Sequence, residues 1–439
     1  MLQSSAESKQ SSENSSGLIE AVLEHSSCSP EVAHAARAAA SMLEPRDTAL
    51  RARIRMRVVG AFLKEGLAES DLAGTLGYGY DDAAREHYES LLARIFAGER
   101  ALARFNFASG THAILTALLA CTAPGETIVC AAGRPYDTLH YALTSAPNSF
   151  VEQGIGYAEV GLDANGRFEP GALAEVLGTT PARTIFVQRS RGYSSRPSMS
   201  IAEIEELVHV VRSFSPDARI IVDNCYGEFV EEREPLEVGA DAIAGSLIKN
   251  IGGGLAPAGG YVIGRKEIIE RTATRLYAPG LRDALGSTLG FGRALLQGLF
   301  SAPALVGESL RGLDFAATLF SELGFKVEPR GGAPRTDTVQ AITLGSPEAL
   351  VAFARGLQRV LPVNARFAPE PGPVPGYVDP VIMSSGAFIS GSTAELSCDA
   401  PLRPPFQVYL QGGTLAEHVA LGAIAAADAV VKGQKGEQR

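Results

Sequence analysis

Two side chains near the middle of the chain could together hold and work an organic cofactor. Asp223 ends the apolar run at 219–222, and Lys249 follows 26 positions later, just past a second apolar run, 241–245, that delivers Ser246. A glycine-dense loop then leads to a third run at 260–264. A partly desolvated lysine has a lowered pKa and adds to an aldehyde, while a strand-end carboxylate can keep a heteroaromatic ring nitrogen protonated. Each residue also has an ordinary reading, as a snorkelling lysine or a structural acid.

A third piece lies upstream in Asn-Phe-Ala-Ser-Gly-Thr-His-Ala, residues 106–113. It reads as a strand end, a small-residue turn and a helix start, where backbone N–H groups and a hydroxyl from Ser109 or Thr111 would cradle a phosphate. Plain helix capping uses the same residues. Phosphate loop, acid and lysine, in that order and all at strand ends, favour the cofactor reading over three separate ordinary ones. His87 and His112 read as structural helix residues, and Cys225 as a small packing residue.

The elements that must position these groups are legible in outline. Strand-like runs at 101–107, 127–131, 184–188, 219–222, 241–246 and 261–263 alternate with helical patterns at 112–121, 137–145 and 201–212. Such alternation predicts crossovers and a largely parallel sheet covered on both faces, with ligands beyond the C-terminal strand ends. Before it, residues 1–16 have a disordered composition and a helical arm follows to about residue 65, then a Gly-Tyr-Gly-Tyr-Asp-Asp turn whose Asp82 caps a helix to residue 97. From about Arg282 the pattern predicts two long helices. Strands near Val327 and Val339, a helix at 347–360, a proline-rich loop at 369–380, a last helix at 415–431 and a loose Lys-Gly-Gln-Lys tail complete a smaller α+β lobe. The expected division is therefore 1–76 as an N-terminal stretch and arm, 77–281 as a large α/β domain, and 282–439 as linking helices and a small domain.

Composition narrows the function classes. Of 439 residues, 46% are apolar and 20% charged, enough to bury a large interior. A net charge of -10 gives no footprint for nucleic acid, and the basic run 51–57 alternates with apolar residues as the face of a helix does. Five scattered cysteines fit a reducing compartment. With no 18-residue apolar run and no leader pattern, the expectation is a cytoplasmic protein without a membrane partner.

Taken together, the motifs GYGYDD, FASGTHAI, GRPYDT, QRSRGYSSRPS, VDNCYGEFVE, SLIKNIGGGLAPAGGY, LRPPF and YLQGG resemble fold-type-I pyridoxal-phosphate enzymes of the cysteine and methionine metabolism group. Within that group they are most similar to the methionine gamma-lyase-like family often labelled aluminium resistance protein. The resemblance runs from Gly77 to Gly413. It implies an α/β architecture of the PLP-dependent transferase fold (fold type I) and pyridoxal 5'-phosphate as cofactor. By position, Lys249 resembles the Schiff-base lysine and Asp223 the partner of the pyridinium nitrogen. Ser109, Gly110 and Thr111 resemble the phosphate loop, to which Ser246 adds a hydroxyl. Tyr136 stands where an aromatic stacks on the cofactor and assists catalysis, and Arg403 where an arginine pairs with a substrate α-carboxylate. Tyr78 and Tyr80 resemble a segment that reaches a neighbouring subunit's phosphate site, which implies a homodimer or homotetramer with shared active sites.

The chain departs from related lyases at two points. Ile248 replaces a threonine before the lysine, and Tyr80 stands where an arginine contacts phosphate, so those contacts are expected to move onto Arg189 or Arg191. The resemblance implies β- or γ-elimination on a sulfur-containing amino acid of the methionine, cystathionine or cysteine type. An aminotransferase or other α-carbanion chemistry is the alternative, though no arginine of the transaminase kind follows Lys249 up to Gly260. A non-catalytic regulatory protein that keeps the fold is the third reading.

Overall fold

Alternating apolar runs and amphipathic stretches fold, in the computed structural model, into a seven-stranded sheet with helices between its strands; the structure describes residues 15–436. The strands are β1 (Arg100–Arg104), β2 (Thr127–Cys130), β3 (Gly156–Glu159), β4 (Ala182–Gln188), β5 (Arg219–Asp223), β6 (Ala242–Ser246) and β7 (Gly260–Gly264), in the order β1-β7-β6-β5-β4-β2-β3. The five strands from β6 to β3 run parallel, and β7 runs antiparallel to both its neighbours. The central strands β4, β5 and β6 are apolar along most of their length because helices cover both faces of a parallel sheet. The polar residues that remain at their ends, Gln188, Asp223 and Ser246, therefore stand out as the chemistry the sheet presents.

Strand order reverses between β2 and β4: the chain goes outward from β2 to β3, then returns to build β4, β5 and β6 on the other side. Ligands settle in the crevice at such a switch point. One core of this sheet gathers Leu102, Phe107, Ile114, Leu118, Phe186, Ile221 and Val262, all essentially buried. Helix Gly110–Cys121 contributes to it with a nearly all-apolar sequence, and Ser109 starts that helix by accepting the N–H of His112 at 3.1 Å.

The chain divides into two compact units, one of Ala52–Pro303 and one of the described residues up to Arg51 together with Ala304 onward. The second unit holds a five-stranded antiparallel sheet, β10-β11-β12-β9-β8, from β8 (Lys326–Glu328), β9 (Val339–Thr343), β10 (Val381–Ser385), β11 (Ser397–Pro401) and β12 (Gln407–Gln411). Phe315, Phe320, Phe353, Ile382, Val408 and Ile424 fill its own core.

Several local expectations change. The two long helices expected after Arg282 are one 31-residue helix, Gly292–Glu322, with Pro303 inside it. A proline removes one donor and strains one turn, but the surrounding apolar face carries the helix through. Ser15 and Ser16, expected to fray, open a helix at 15–24, and the rest of that segment lies outside the described residues. The final helix, Ala416–Gln434, takes in most of the tail expected to be loose, because its buried alanine face extends to Val431. The basic run of the arm turns onto acidic residues: Arg53 pairs with Glu232 at 2.7 Å, and Arg57 donates to the Glu232 carbonyl at 2.8 Å.

Candidate active site

Helix Gly110–Cys121 begins against the end of β6. A Cβ on Gly110 would lie 2.9 Å from the Ser246 Cβ and 3.0 Å from its backbone nitrogen, so only glycine permits the approach. The N–H groups of Gly110 and Thr111, in the first helical turn, have no carbonyl behind them in the helix. Beside them stand the Thr111 hydroxyl and the buried Ser246. The helix start is thereby rich in hydrogen-bond donors, as an anion site requires. Ser109 serves it by capping the helix; its Oγ is already an acceptor for His112.

Tyr136 precedes helix Asp137–Thr144 and bonds in two directions. Its hydroxyl meets Thr111 Oγ1 at 2.8 Å, and its backbone N–H donates to Gln188 Oε1 at 2.8 Å. Gln188 pairs in register with Asp223 across β4 and β5. The cradle, the aromatic and the acid are thereby joined across the switch point by a continuous set of contacts.

Asp223 is buried, and its Oδ1 accepts the Cys225 N–H at 3.1 Å. Burial raises its pKa above the ordinary aspartate value, opposed by the bonds from Cys225 and the charges of Lys249 and Arg196. A carboxyl so placed gains most from a cationic partner, which is what a protonated ring nitrogen provides. Lys249 Nζ lies 3.5 Å from the centroid of the Tyr226 ring. Sequence reasoning expects desolvation to lower this amine's pKa. Burial does pull it down, but Tyr226, then Cys225 and Asp223, more than offset that, and the net direction is upward. The correction follows from neighbours invisible in the linear sequence.

The loop after Lys249 is held by backbone against backbone. A Cβ on Gly252 would sit 1.9 Å from the Leu247 carbonyl oxygen, one on Gly253 2.0 Å from that of Gly298, and one on Gly298 2.2 Å from that of Gly252. The glycines therefore serve the docking of this loop. Asn250, buried next to the lysine, donates Nδ2 to the carbonyls of Tyr226 at 2.9 Å and Glu228 at 3.2 Å. Glu228 is buried too, with Oε1 accepting from the Tyr261 hydroxyl at 2.6 Å.

Arg189, one residue expected to take over phosphate contacts, is fully buried and committed to structure. Its guanidinium donates to Asn224 Oδ1 at 2.7 Å, the Gly227 carbonyl at 3.0 Å and Glu231 Oε2 at 2.8 Å. Arg191 is also buried. His112 Nδ1 accepts the Ala108 N–H at 3.1 Å, and burial keeps its pKa below the usual range. His87 pairs with Glu65 at 2.9 Å. Tyr78 and Tyr80 lie on the surface, 74% and 57% exposed, with ring centroids 6.0 Å apart. Arg403 belongs to the other unit, in the turn between β11 and β12, 3.6 Å from Asp379.

Sequence reasoning missed Tyr226, Gln188, Asn250 and Glu228. Tyr226 had a usable signal, an aromatic between a strand-end acid and a glycine. Gln188 and Glu228 matter only through partners distant in sequence. Among the described residues, no cluster of His, Cys, Asp and Glu is placed to hold a metal ion, and no helix is long and apolar enough to cross a membrane.

A mostly parallel sheet with Asp223, Lys249 and the donor-rich start of helix Gly110–Cys121 at its strand ends has the architecture of fold-type-I pyridoxal-phosphate-dependent enzymes. The pyridoxal-5'-phosphate-dependent protein YhfS from Escherichia coli shares that fold with a TM-score of 0.60 at 16% identity, over 87% of this chain and 96% of that one. More specifically, residues 32–431 match the model of the methionine gamma-lyase family, and the chain belongs to it. It is 41% identical over 382 residues to the uncharacterized protein YnbB of Bacillus subtilis strain 168, covering 86% of this chain and 90% of that one. It is similar also to a solved carbon-sulfur lyase involved in aluminum resistance from Clostridium novyi NT, with 36% identity, a TM-score of 0.83, and 98% and 99% of the two chains covered.

Proposed function

We propose that the protein is a pyridoxal-phosphate-dependent carbon–sulfur lyase that eliminates the β or γ substituent of a sulfur-containing amino acid. The observation that carries this reading is the convergence of the Gly110–Ser246 cradle, Tyr136, Asp223 and Lys249 at adjacent strand ends. These residues fit the cofactor: the cradle takes phosphate, Asp223 takes a ring nitrogen, Tyr136 offers a ring for stacking, and Lys249 is the point of covalent attachment. When bound, pyridoxal phosphate supplies an electron sink for charge developing at the substrate α-carbon.

The protein's own groups do the rest. Lys249 Nζ, once free, takes the α-proton and returns a proton later, acting as base and then acid. The Tyr136 hydroxyl, hydrogen-bonded to Thr111 Oγ1 at 2.8 Å, protonates the departing sulfur. The Arg403 guanidinium, with its planar fork, binds the substrate carboxylate. Tyr78 and Tyr80, largely exposed on their own chain, are covered by a second copy whose phosphate site they complete, so the working unit is a homodimer or a multiple of it.

Product analysis on methionine, cystathionine and cysteine tests the reading: elimination yields keto acid, ammonia and a thiol. Amino-group transfer to an added keto acid would place the protein among aminotransferases instead. No turnover across an amino-acid panel would leave it a binding protein.

A further inference from the structure

Tyr226 has no part in the reading above, yet it is the side chain in contact with the reacting nitrogen. Its ring lies under Lys249 Nζ at 3.5 Å from the centroid, well inside the roughly 6 Å within which an aromatic face attracts a cation. The backbone there is unusual: Tyr226 has φ of +71°, a left-handed conformation that a bulky residue keeps only where its surroundings over-determine it. The surroundings do impose it. Asn250, adjacent to the lysine, donates to the Tyr226 and Glu228 carbonyls, and the Gly227 N–H donates to the Asn224 carbonyl at 3.0 Å. Arg189 holds the same turn through the Gly227 carbonyl at 3.0 Å. Ring and amine are thus fixed to one another by bonds that run from the lysine's own neighbour to the ring's own backbone.

We propose that the Tyr226 ring is the seat of the Lys249 ammonium, a catalytic residue that receives Nζ when it has taken the substrate proton and releases it when the proton is returned. This rests on the lyase reading for the identity of the proton. In the step concerned, the α-C–H bond breaks, its electron pair stays at the α-carbon, and the proton forms a new N–H bond on Nζ. The nitrogen thereby becomes a cation in a site where charge is poorly solvated. The groups that face it are Asp223, Cys225, Glu228 and Tyr226. Burial favours the neutral forms of Cys225 and Glu228, and Asp223 is taken up by the ring nitrogen in the reading above. The aromatic face is a partner that attracts the ammonium without having to ionise.

The test separates ring from hydroxyl, and this proposal from the lyase reading. The full-length chain, stripped of bound aldehyde with hydroxylamine, is exposed to pyridoxal phosphate across a pH series. Adducts are trapped with borohydride and located by peptide mass spectrometry. Capture at Lys249 tests the cofactor reading; capture elsewhere or none overturns that reading and this proposal with it. Given capture at Lys249, Tyr226→Leu lowers the pH midpoint by about one unit, the shift corresponding to loss of a desolvated cation–π contact. Tyr226→Phe keeps the wild-type midpoint. An unchanged midpoint in Tyr226→Leu, or an equal shift in Tyr226→Phe, overturns the seat while leaving the cofactor assignment intact. Circular dichroism on both variants confirms that the chains being compared are folded.

Discussion

Replacing Glu228 by Gln should change how stability depends on pH more than it changes stability itself. Glu228 is fully buried beneath the lysine loop, and burial pushes its carboxyl up to about 8 from an ordinary 4.5. The Tyr261 bond pulls the value back, nearby Glu234 adds to the rise, and Lys249 opposes it. Between those two pH values the native protein keeps a proton that the unfolded chain has released. Native stability is therefore greatest below about pH 4.5 with respect to this group, and is lost progressively as pH rises to about 8. At about 1.4 kcal/mol per pKa unit, the full window is worth about 5 kcal/mol, of which about 3 is already lost at pH 7. Gln retains an acceptor for Tyr261 and cannot titrate. Its amide nitrogen, however, would occupy the position of Oε2, which has no hydrogen-bond partner among the described residues. That adds a pH-independent cost of about 1–3 kcal/mol, so slopes and not absolute values carry the comparison. Thermal midpoints of both proteins, measured at one scan rate from about pH 5 to about pH 9, should converge or cross as pH rises, with wild type the steeper. Parallel curves through that window would refute the reasoning.

Other outcomes follow from the same geometry. Lys249→Ala should lose the visible absorbance of lysine-bound pyridoxal phosphate together with turnover; retention of both would sink the assignment of Lys249. Gly110→Ala forces a Cβ within 2.9 Å of Ser246, and should weaken cofactor affinity at least about tenfold in an absorbance titration while leaving the secondary structure intact. Asp82 accepts five hydrogen bonds, from Arg85 N, Thr75 N and Oγ1, and Thr288 N and Oγ1; Asp82→Ala should cost about 3 kcal/mol or more, read as a fall in urea midpoint. Replacing Tyr78 and Tyr80 by Ser should dissociate the assembly in sedimentation velocity if a second copy covers them, and an unchanged sedimentation coefficient would oppose that.

What was legible in the sequence was local. Period and punctuation located the strands carrying Asp223 and Ser246 to within a residue or two, because fully buried parallel strands are short unbroken apolar runs. Gly156–Glu159 escaped because this short edge strand is half exposed and begins with glycine. The three strands after residue 380 escaped too: β11 contains an aspartate and ends in proline, and β12 begins and ends in glutamine. Within the site, residue types announced the lysine, acid and phosphate loop. The direction of the lysine's pKa was misread, since it depends on Tyr226, which approaches through a left-handed turn that no spacing encodes. The departures at Ile248 and Tyr80 point to Arg189 as a phosphate contact, but its partners in the structure, Asn224, Gly227 and Glu231, come from a loop more than thirty residues on.

The contact between the lysine loop and helix Gly292–Glu322 has a consequence for how the sequence can drift. The α-carbon of Gly253 faces the Gly298 carbonyl, that of Gly298 faces the Gly252 carbonyl, and that of Gly252 faces the Leu247 carbonyl. Most packed contacts absorb a substitution by turning a rotamer, but a joint made of main chain alone has no rotamer to turn. Any larger residue at one of the three must push the loop bodily, and Lys249 with it. A compensating change at the facing position cannot relieve the crowding, since nothing there is smaller than what is already present. Directed evolution of this protein toward other substrates should therefore find its freedom around the pocket and none at this seam.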